Sequence, residues 1–187
     1  MNTERRERLR DAAIDVLAGS GARGLTHRAV DAVAQVPEGT TKNYFATRDA
    51  LLRAVAERCV ELYDRIPAEP PSDRAGLARL LSALLADVEG PGRPRLQAVF
   101  ELQAEAARKP WLAAVLDAVT ATDFARFRQA VRAAGLPATP ARVSAITLAL
   151  HSAVLHLLTG GPRTIEAAGL NDLDLFVGDL LDSVFGP

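Results

Sequence analysis

The sequence predicts an all-α protein of about nine helices, and three observations lead to this fold class. Ala and Leu dominate throughout, and β-branched alternation never lasts long enough to indicate a strand. Apolar residues recur at helical spacing, and Gly- and Pro-rich breaks separate the periodic segments. Hydrophobic residues make up 49% of the 187 residues, so the chain is expected to be globular rather than disordered.

Four helices are predicted in the first third of the chain. The Gly-rich run GSGARG is expected to end the first helix. Thr26 and Thr47 are the expected N-caps of the second and fourth, because a threonine hydroxyl accepts a hydrogen bond from an amide in the first turn. Pro37 is tolerated at the start of the third. The four predicted helices cover about 3–18, 27–34, 37–44 and 47–66.

Five more helices are predicted after a Pro-rich boundary, PAEPPSDRAG, near residues 67–72. The breaks GPGRP, KPW and GLPATP separate the first four of them. A loop containing GGPRT and AAGLN, with room for a short helical turn, precedes the last. These predicted helices cover about 73–89, 95–108, 110–134, 140–159 and 172–185.

Bulk composition excludes several classes of protein. The single cysteine, Cys59, forms neither an intramolecular disulfide nor a cysteine metal cluster, which fits a reducing compartment. The charged start MNTERRERLR leads into no secretory apolar segment, and the richest apolar run, AITLALHSAVLHLL, is interrupted by His151 and His156. We therefore expect a soluble, cytoplasmic protein. Net charge is −1, but residues 1–48 hold seven Arg and one Lys against three Glu and three Asp, or +2. A polyanion would therefore bind at the N-terminal end.

The run VPEGTTKNYF, residues 36–45, is polar although it lies between two amphipathic segments. Two short helices joined by a tight turn, with scaffold helices beside them, make a helix-turn-helix whose second helix enters the DNA major groove. The small residues Gly39 and Thr40 would let the backbone approach DNA, and the start of this helix is expected to offer amide donors to phosphate. The alternative is a solvated helical hairpin with no partner.

The segment LTHRAVDAVAQVPEGTTKNYFATRDALLRAV resembles the DNA-binding region of the TetR family of transcriptional repressors. The shared features, over residues 5–60, are a Thr before the second helix, a Val-Pro-x-Gly-Thr turn, a closing aromatic pair and a capped long helix. The resemblance implies a helix-turn-helix DNA-binding domain over 1–48 and a ligand-binding and dimerisation domain over 49–187, connected by the fourth helix. It implies that the DNA-binding residues are Thr26, His27, Arg28, Glu38, Gly39, Thr40, Thr41, Lys42, Asn43, Tyr44 and Arg48.

Four residues depart from the family pattern. Gln35 stands where the turn usually has Gly, so a non-Gly residue is expected there with a positive φ. The strain of that conformation costs of order 1 kcal/mol. Lys42 replaces a commoner aromatic residue. Asp31 replaces a small residue and is expected to face solvent. Glu38 either lies away from the phosphates or accepts from a cytosine amine. These departures bear on which operator sequence is read.

The last two predicted helices are more apolar than the surface of one small domain requires. The resemblance implies that they pair with their copies in a four-helix dimer interface, and two recognition helices about one DNA turn apart would read a palindrome. The alternative is that both are monomer core. The proposed interface residues are Leu148, Leu155, Phe176, Val177, Leu180, Leu181 and Val184.

The resemblance also implies a small-molecule pocket among the middle helices, and its apolar bias suggests a largely apolar effector. The alternative is ordinary core packing. Glu101 and Glu105, four apart on one helix, would repel unless an arginine such as Arg108 or Arg126 lies between them. The candidate lining residues are Leu81, Phe100, Gln103, Trp111, Phe124, Phe127, Thr147 and His151.

Other reactive residues give no site. His151 and His156, five apart on a helix, cannot chelate one metal, and Cys59 among apolar neighbours is expected to be an inert thiol. PGRP and TGGPRT lack the spacing of a phosphate loop, and no catalytic triad pattern occurs. We expect no cofactor, no metal and no enzyme activity.

The sequence therefore favours a homodimeric repressor that binds palindromic double-stranded DNA and is released by a small-molecule effector, with no membrane partner. One alternative is a helical ligand-binding or enzyme-like domain with a non-functional DNA head. Another is a nonspecific architectural DNA binder, which would show a steep salt dependence without sequence preference.

Overall fold

The computed structural model of the chain describes residues 2–64 and 69–187. Helices are the regular secondary structure in that range, with no strand in it, which confirms the predicted fold class. The ten helices are α1 (Thr3–Gly24), α2 (His27–Val33), α3 (Thr40–Tyr44), α4 (Arg48–Asp64), α5 (Arg74–Ala86), α6 (Arg93–Ala106), α7 (Pro110–Ala133), α8 (Pro140–Thr159), α9 (Pro162–Ala167) and α10 (Leu173–Phe185). The short α9 lies in the predicted loop. The predicted end of the fourth helix and the start of the Pro-rich boundary fall in residues 65–68, outside the described residues.

Side-chain caps begin several helices where the sequence places them. Thr26 accepts from the Ala29 amide at 3.1 Å, and Thr47 accepts from the Ala50 amide at 3.0 Å, which confirms both predicted caps. Asp172 accepts from the Leu175 amide at 3.0 Å at the start of α10.

The predicted Gly-rich break in GSGARG is confirmed, and one other predicted boundary is wrong. Gly21, at φ 64° and ψ −178°, is non-helical and breaks α1, and a further helical turn follows as far as Gly24. The third helix starts at Thr40 rather than near Pro37, because Gly39 is left-handed at φ 89° and acts as the N-cap. In both places a glycine takes a conformation that other residues avoid, and at α3 it moves the start of the helix three residues beyond the predicted one.

The first of two compact units comprises Met1–Ile66 and Pro94–Val119. It holds α1 to α4, nearly all of α6 and the start of α7. Leu9, Leu17, Leu51, Leu52 and Leu102 are completely buried in its core. The core residues of α6 and α7 therefore pack in the same cluster as those of α1 and α4.

The second unit comprises Pro67–Arg93 and Thr120–Pro187. Its core joins α5, the later part of α7, α8 and α10 through residues such as Leu77, Val131 and Ile146. Among the described helices, α8 has a length and composition that would allow it to cross a membrane, with mean hydropathy 1.4. Five of its 20 residues are buried inside this unit.

Candidate nucleic-acid interface

The turn between α2 and α3 has the strained backbone that the sequence predicts. Gln35 has φ 53°, the one positive φ among the described non-glycine residues. The Val36 amide donates to the carbonyl of Asp31 at 3.0 Å, and the Ala34 amide donates to that of Val30 at 2.8 Å. This closes the end of α2 with a left-handed residue, the position that glycine usually fills at lower cost.

Asp31 on α2 caps the start of α3 from outside that helix. Its carboxylate accepts from the Gly39 amide at 2.8 Å, from the Thr41 amide at 2.7 Å and from the Thr41 hydroxyl at 2.5 Å. Only 3% of Asp31 is exposed, so the prediction that it faces solvent is wrong. Because the N-cap residue Gly39 has no side chain, α2 supplies the capping carboxylate that α3 lacks.

The cap also determines which polar groups of α3 have partners within the chain. Thr41 is completely buried and its hydroxyl is bonded to Asp31, so its expected side-chain contact with DNA is corrected. The amides of Gly39 and Thr41 are taken by Asp31, and the Thr40 amide donates to the Pro37 carbonyl at 3.1 Å. These three amides therefore have partners within the chain, which leaves the side chains of α3 as the groups expected to contact DNA.

The other end of α3 is held by His27 and Arg6. A ring nitrogen of His27 lies 2.6 Å from the Phe45 carbonyl oxygen, just after the helix. The Arg6 guanidinium lies 5.6 Å from the centre of the buried Phe45 ring. The half-buried His27 ring thus contacts the protein's own backbone, which makes it a support for α3.

The remaining predicted contacts differ in exposure. Gly39, Thr40 and Tyr44 are half-buried, and Tyr44 packs on the core of the first unit. The Arg48 side chain is exposed, and its guanidinium donates to the Ala22 carbonyl. The exposed members of the predicted set are Thr26, Arg28, Glu38, Lys42, Asn43 and Arg48. Three cations and one acid thus lie on the surface around α3.

Two ion pairs between α1 and α4, each joining a buried arginine to a partly exposed acid, support this surface and were not foreseen. Arg10, 3% exposed, donates to the Glu61 carboxylate at 2.7 and 3.0 Å and to the Ala54 carbonyl at 3.2 Å. Arg58, 5% exposed, donates to Asp11 at 2.7 and 3.0 Å. The hydrogen bond from Arg10 lowers the pKa of Glu61, and the hydrogen bond to Asp11 raises the pKa of Arg58.

Cys59 lies in the same region with its thiol inert, as predicted. It is 4% exposed, and burial raises its pKa to about 12. Nearby Arg95 and Arg10 act in the opposite direction but do not offset the loss of solvation. The thiolate is therefore scarce at neutral pH.

The predicted dimer residues divide between surface and core. Leu148 and Leu155 are 58% and 39% exposed, and Phe176, Leu180 and Val184 are half-buried. Val177 and Leu181 are 0% and 1% exposed, so these two are core residues of the chain itself and their interface assignment is corrected. Leu175, 61% exposed, was missed although it is an apolar residue on the polar side of α10.

The predicted pocket residues lie in both units. Phe100, Gln103 and Trp111 belong to the first, and the other five belong to the second. Leu81, Phe127 and Thr147 are buried, and Phe124 packs on the same core. A shallow depression of about 410 Å³ in the second unit is lined by other residues, Ser82, Ala83, Ala86 and Asn171 to Asp174.

Two acids of α6 that face the same way have separate partners. Arg108, one of the two arginines predicted to offset the repulsion, donates to Glu105 at 2.8 Å. Glu101 accepts instead from the Ala22 amide of α1 at 3.1 Å. No group of three or more His, Cys, Asp or Glu residues suited to a metal ion occurs in the part of the chain that the structure describes.

Comparison with known proteins gives one family match. Residues 72–182 match the family model of the tetracyclin repressor-like C-terminal domain. No curated protein is similar enough in sequence to be matched.

Several solved structures share the fold over nearly their whole length. A transcriptional regulator from Rhodococcus sp. RHA1 is 23% identical with a TM-score of 0.74, covering 95% of this chain and 96% of that one. The multidrug binding protein EbrR in complex with imidazole is 29% identical with a TM-score of 0.65, covering 100% and 98%. EbrR in complex with ethidium is 27% identical with a TM-score of 0.67, covering 96% and 98%.

Proposed function

Since the chain belongs to the TetR family of transcriptional regulators, we propose that it is a repressor that binds a palindromic operator as a homodimer and is released by a small molecule. The observation that carries this proposal is the fixed position of α3. Asp31 holds its start and His27 contacts the carbonyl at its end, while Lys42 and Asn43 remain exposed. A helix fixed at both ends with a polar outer face suits the DNA major groove.

Within 1–48, the proposed DNA-binding domain, the residues have separate roles. Lys42 and Asn43 read bases or phosphates from α3, Tyr44 adds a ring contact and a hydroxyl donor, and Arg28 and Arg48 bind phosphate. Thr26, Gly39 and Thr40 allow close approach of the backbone. Glu38 is exposed and either lies off the phosphates or accepts from cytosine.

The proposed dimer forms through one face of α8 and α10 in the domain over 49–187. On α8, the apolar side chains of Leu148 and Leu155 are 58% and 39% exposed. Apolar residues repeated on the outer side of long helices mark a protein contact. Phe176, Leu180 and Val184, half-buried, would lose their remaining exposure there. The dimer would place two α3 helices about 34–36 Å apart, one DNA turn.

The proposed effector is a small, largely apolar molecule with a cationic or hydrogen-bond-donating group. EbrR binds imidazole and ethidium, which are aromatic nitrogen compounds. In the second unit, Asp123 Oδ1 is buried without a hydrogen-bond partner among the described residues, and Asp123 Oδ2 lies 3.5 Å from His151 Nε2. A buried carboxylate oxygen suits a donor on a ligand. The five predicted pocket residues that belong to the second unit, Leu81, Phe124, Phe127, Thr147 and His151, remain the proposed lining.

Selection of bound sequences from random duplex DNA, at about physiological salt, tests this function. The expected result is an enriched inverted repeat whose half-sites are about 10 base pairs apart. If a folded sample enriches no sequence, selection is repeated after unfolding and refolding without ligand, which removes a co-purified effector. Failure there too would favour a ligand-binding domain with a non-functional DNA head. Binding without sequence preference would favour an architectural protein.

A further inference from the structure

Ala22 lies at the break in α1, and side chains from elsewhere hold both of its backbone polar groups. Its amide donates to Glu101 Oε2 of α6 at 3.1 Å. Its carbonyl accepts from the guanidinium of Arg48, the first residue of α4. The last turn of α1 is thereby tied to both α4 and α6.

The Glu101 contact depends on the break itself. In a continuous helix the amide of residue 22 donates to the carbonyl of residue 18. Gly21, at φ 64° and ψ −178°, interrupts that pattern, and the Glu101 carboxylate receives the displaced amide. A Cβ at Gly21 would lie 3.3 Å from Glu101 Oε2, so a side chain there would crowd the carboxylate as well as strain the backbone.

Further contacts attach α6 and the start of α7 to the same helices. Lys109 Nζ lies 2.7 Å from Asp49 Oδ1 on α4, and the Arg53 guanidinium lies 4.5 Å from the centre of the Trp111 ring. Leu102, one residue after Glu101, is completely buried in the core that also contains α1 and α4. These contacts hold the helix segment that carries Glu101 against the core of the first unit.

We propose that Glu101 is a positioning residue for DNA binding, an inference that rests on the proposed function. From α6 it fixes the junction of α1 and α4 through Ala22. Since α1 packs against α2, and α2 against α3, this junction sets where the recognition helix lies. Glu101 lies outside the predicted DNA-binding domain over 1–48, and it acts on DNA only through α1.

The experiment uses the full chain and the operator obtained by selection. Glu101→Ala removes the acceptor, Glu101→Gln keeps an acceptor at the same reach, and Glu101→Asp keeps the charge but shortens the side chain. Glu105→Ala is the matched control, because Glu105 is one turn away on α6 and pairs with Arg108. Operator Kd, hydrogen exchange of the Ala22 amide and the thermal midpoint are measured for each variant.

The expected result is that Glu101→Ala and Glu101→Asp raise the operator Kd about fivefold to tenfold and speed exchange at Ala22. Glu101→Gln and Glu105→Ala are expected to stay within about twofold of the unmodified protein. A lower thermal midpoint with an unchanged Kd would reduce Glu101 to a stabilising contact and overturn the proposal. Unchanged exchange at Ala22 would overturn it too.

Failure of the proposed function has a different signature. An unmodified protein that selects no DNA sequence would remove the function, and the inference with it, before any variant is compared. A clear operator with an insensitive Glu101→Ala variant would remove the inference alone.

Discussion

The short helix α3 and the long helix α8 are stabilised by different means. α3 has five residues and is held at its ends by Asp31 and His27. α8 has 20 residues and is held by apolar residues such as Val143, Ile146 and Leu150 in the core of the second unit. A helix of five residues buries too little apolar surface to fix itself, so polar contacts at its ends determine its position. Its outer face can therefore stay polar, whereas the outer face of α8 carries leucines.

The largest expected effect on stability comes from a charge on the buried face of α10, and the same charge on the exposed face of α8 is expected to affect only dimerisation. Leu181→Asp should unfold the second unit, because it places a carboxylate at a position 1% exposed, and the loss should exceed about 4 kcal/mol. Urea unfolding followed by circular dichroism measures this loss.

Leu148→Asp, at 58% exposure, should stay folded and become monomeric by light scattering. A folded Leu148→Asp dimer would exclude this part of α8 from the interface.

The next effect tests the cap on α3. Asp31→Ala removes the acceptor of two amides and of one buried hydroxyl, and should lower the free energy of unfolding by about 3 kcal/mol. Asp31→Asn should cost less, since its one carbonyl oxygen still accepts. The exposed Glu38→Ala is the control and should change stability by less than about 0.5 kcal/mol. Equal urea midpoints for Asp31→Ala and the unmodified protein would show that the cap contributes nothing.

A smaller effect concerns the outer face of α3. Lys42→Ala should weaken operator binding, and the slope of log K against log salt should flatten by about one unit if Lys42 contacts phosphate. Arg132→Ala, which also removes one exposed positive charge but lies at the end of α7, is the charge-matched control. Titration of a labelled operator at several salt concentrations measures both slopes. An identical change in the two variants would assign the effect to net charge alone.

The smallest effect lies in the turn before α3. Gln35→Gly should relieve the φ of 53° and raise the free energy of unfolding by at most about 1 kcal/mol, because glycine also gains entropy in the unfolded chain. Thermal unfolding measures the gain. A loss of stability would mean that the Gln35 side chain makes a contact worth more than the strain.

The sequence was informative where a residue acts on its own neighbours. Thr26 and Thr47 cap helices within three residues, and Gln35 takes the strained φ expected from its place in the turn. Asp31 was misassigned because its partners, the Gly39 amide and the Thr41 amide, lie across a turn whose geometry the sequence does not give. Helix period, capping residues and composition thus fix the fold class but not such tertiary contacts.

The predicted dimer interface also shows that sequence periodicity does not give tertiary contacts. Apolar periodicity marks α10 as amphipathic, but it does not tell which apolar residues meet the chain's own core. Val177 and Leu181 face that core, whereas Leu175 faces away. Arg10 was missed because a buried arginine on an apolar helix face is recognisable only when its acceptors, such as Glu61, are in place.

The buried thiol of Cys59 can serve as a labelling probe for unfolding of the first unit. Because it is the single cysteine and burial raises its pKa to about 12, a thiol reagent added at neutral pH meets almost no reactive sulfur in the folded chain. Labelling then proceeds only through molecules in which the first unit has opened. The labelling rate therefore counts those openings directly, without a spectroscopic probe and without any added mutation.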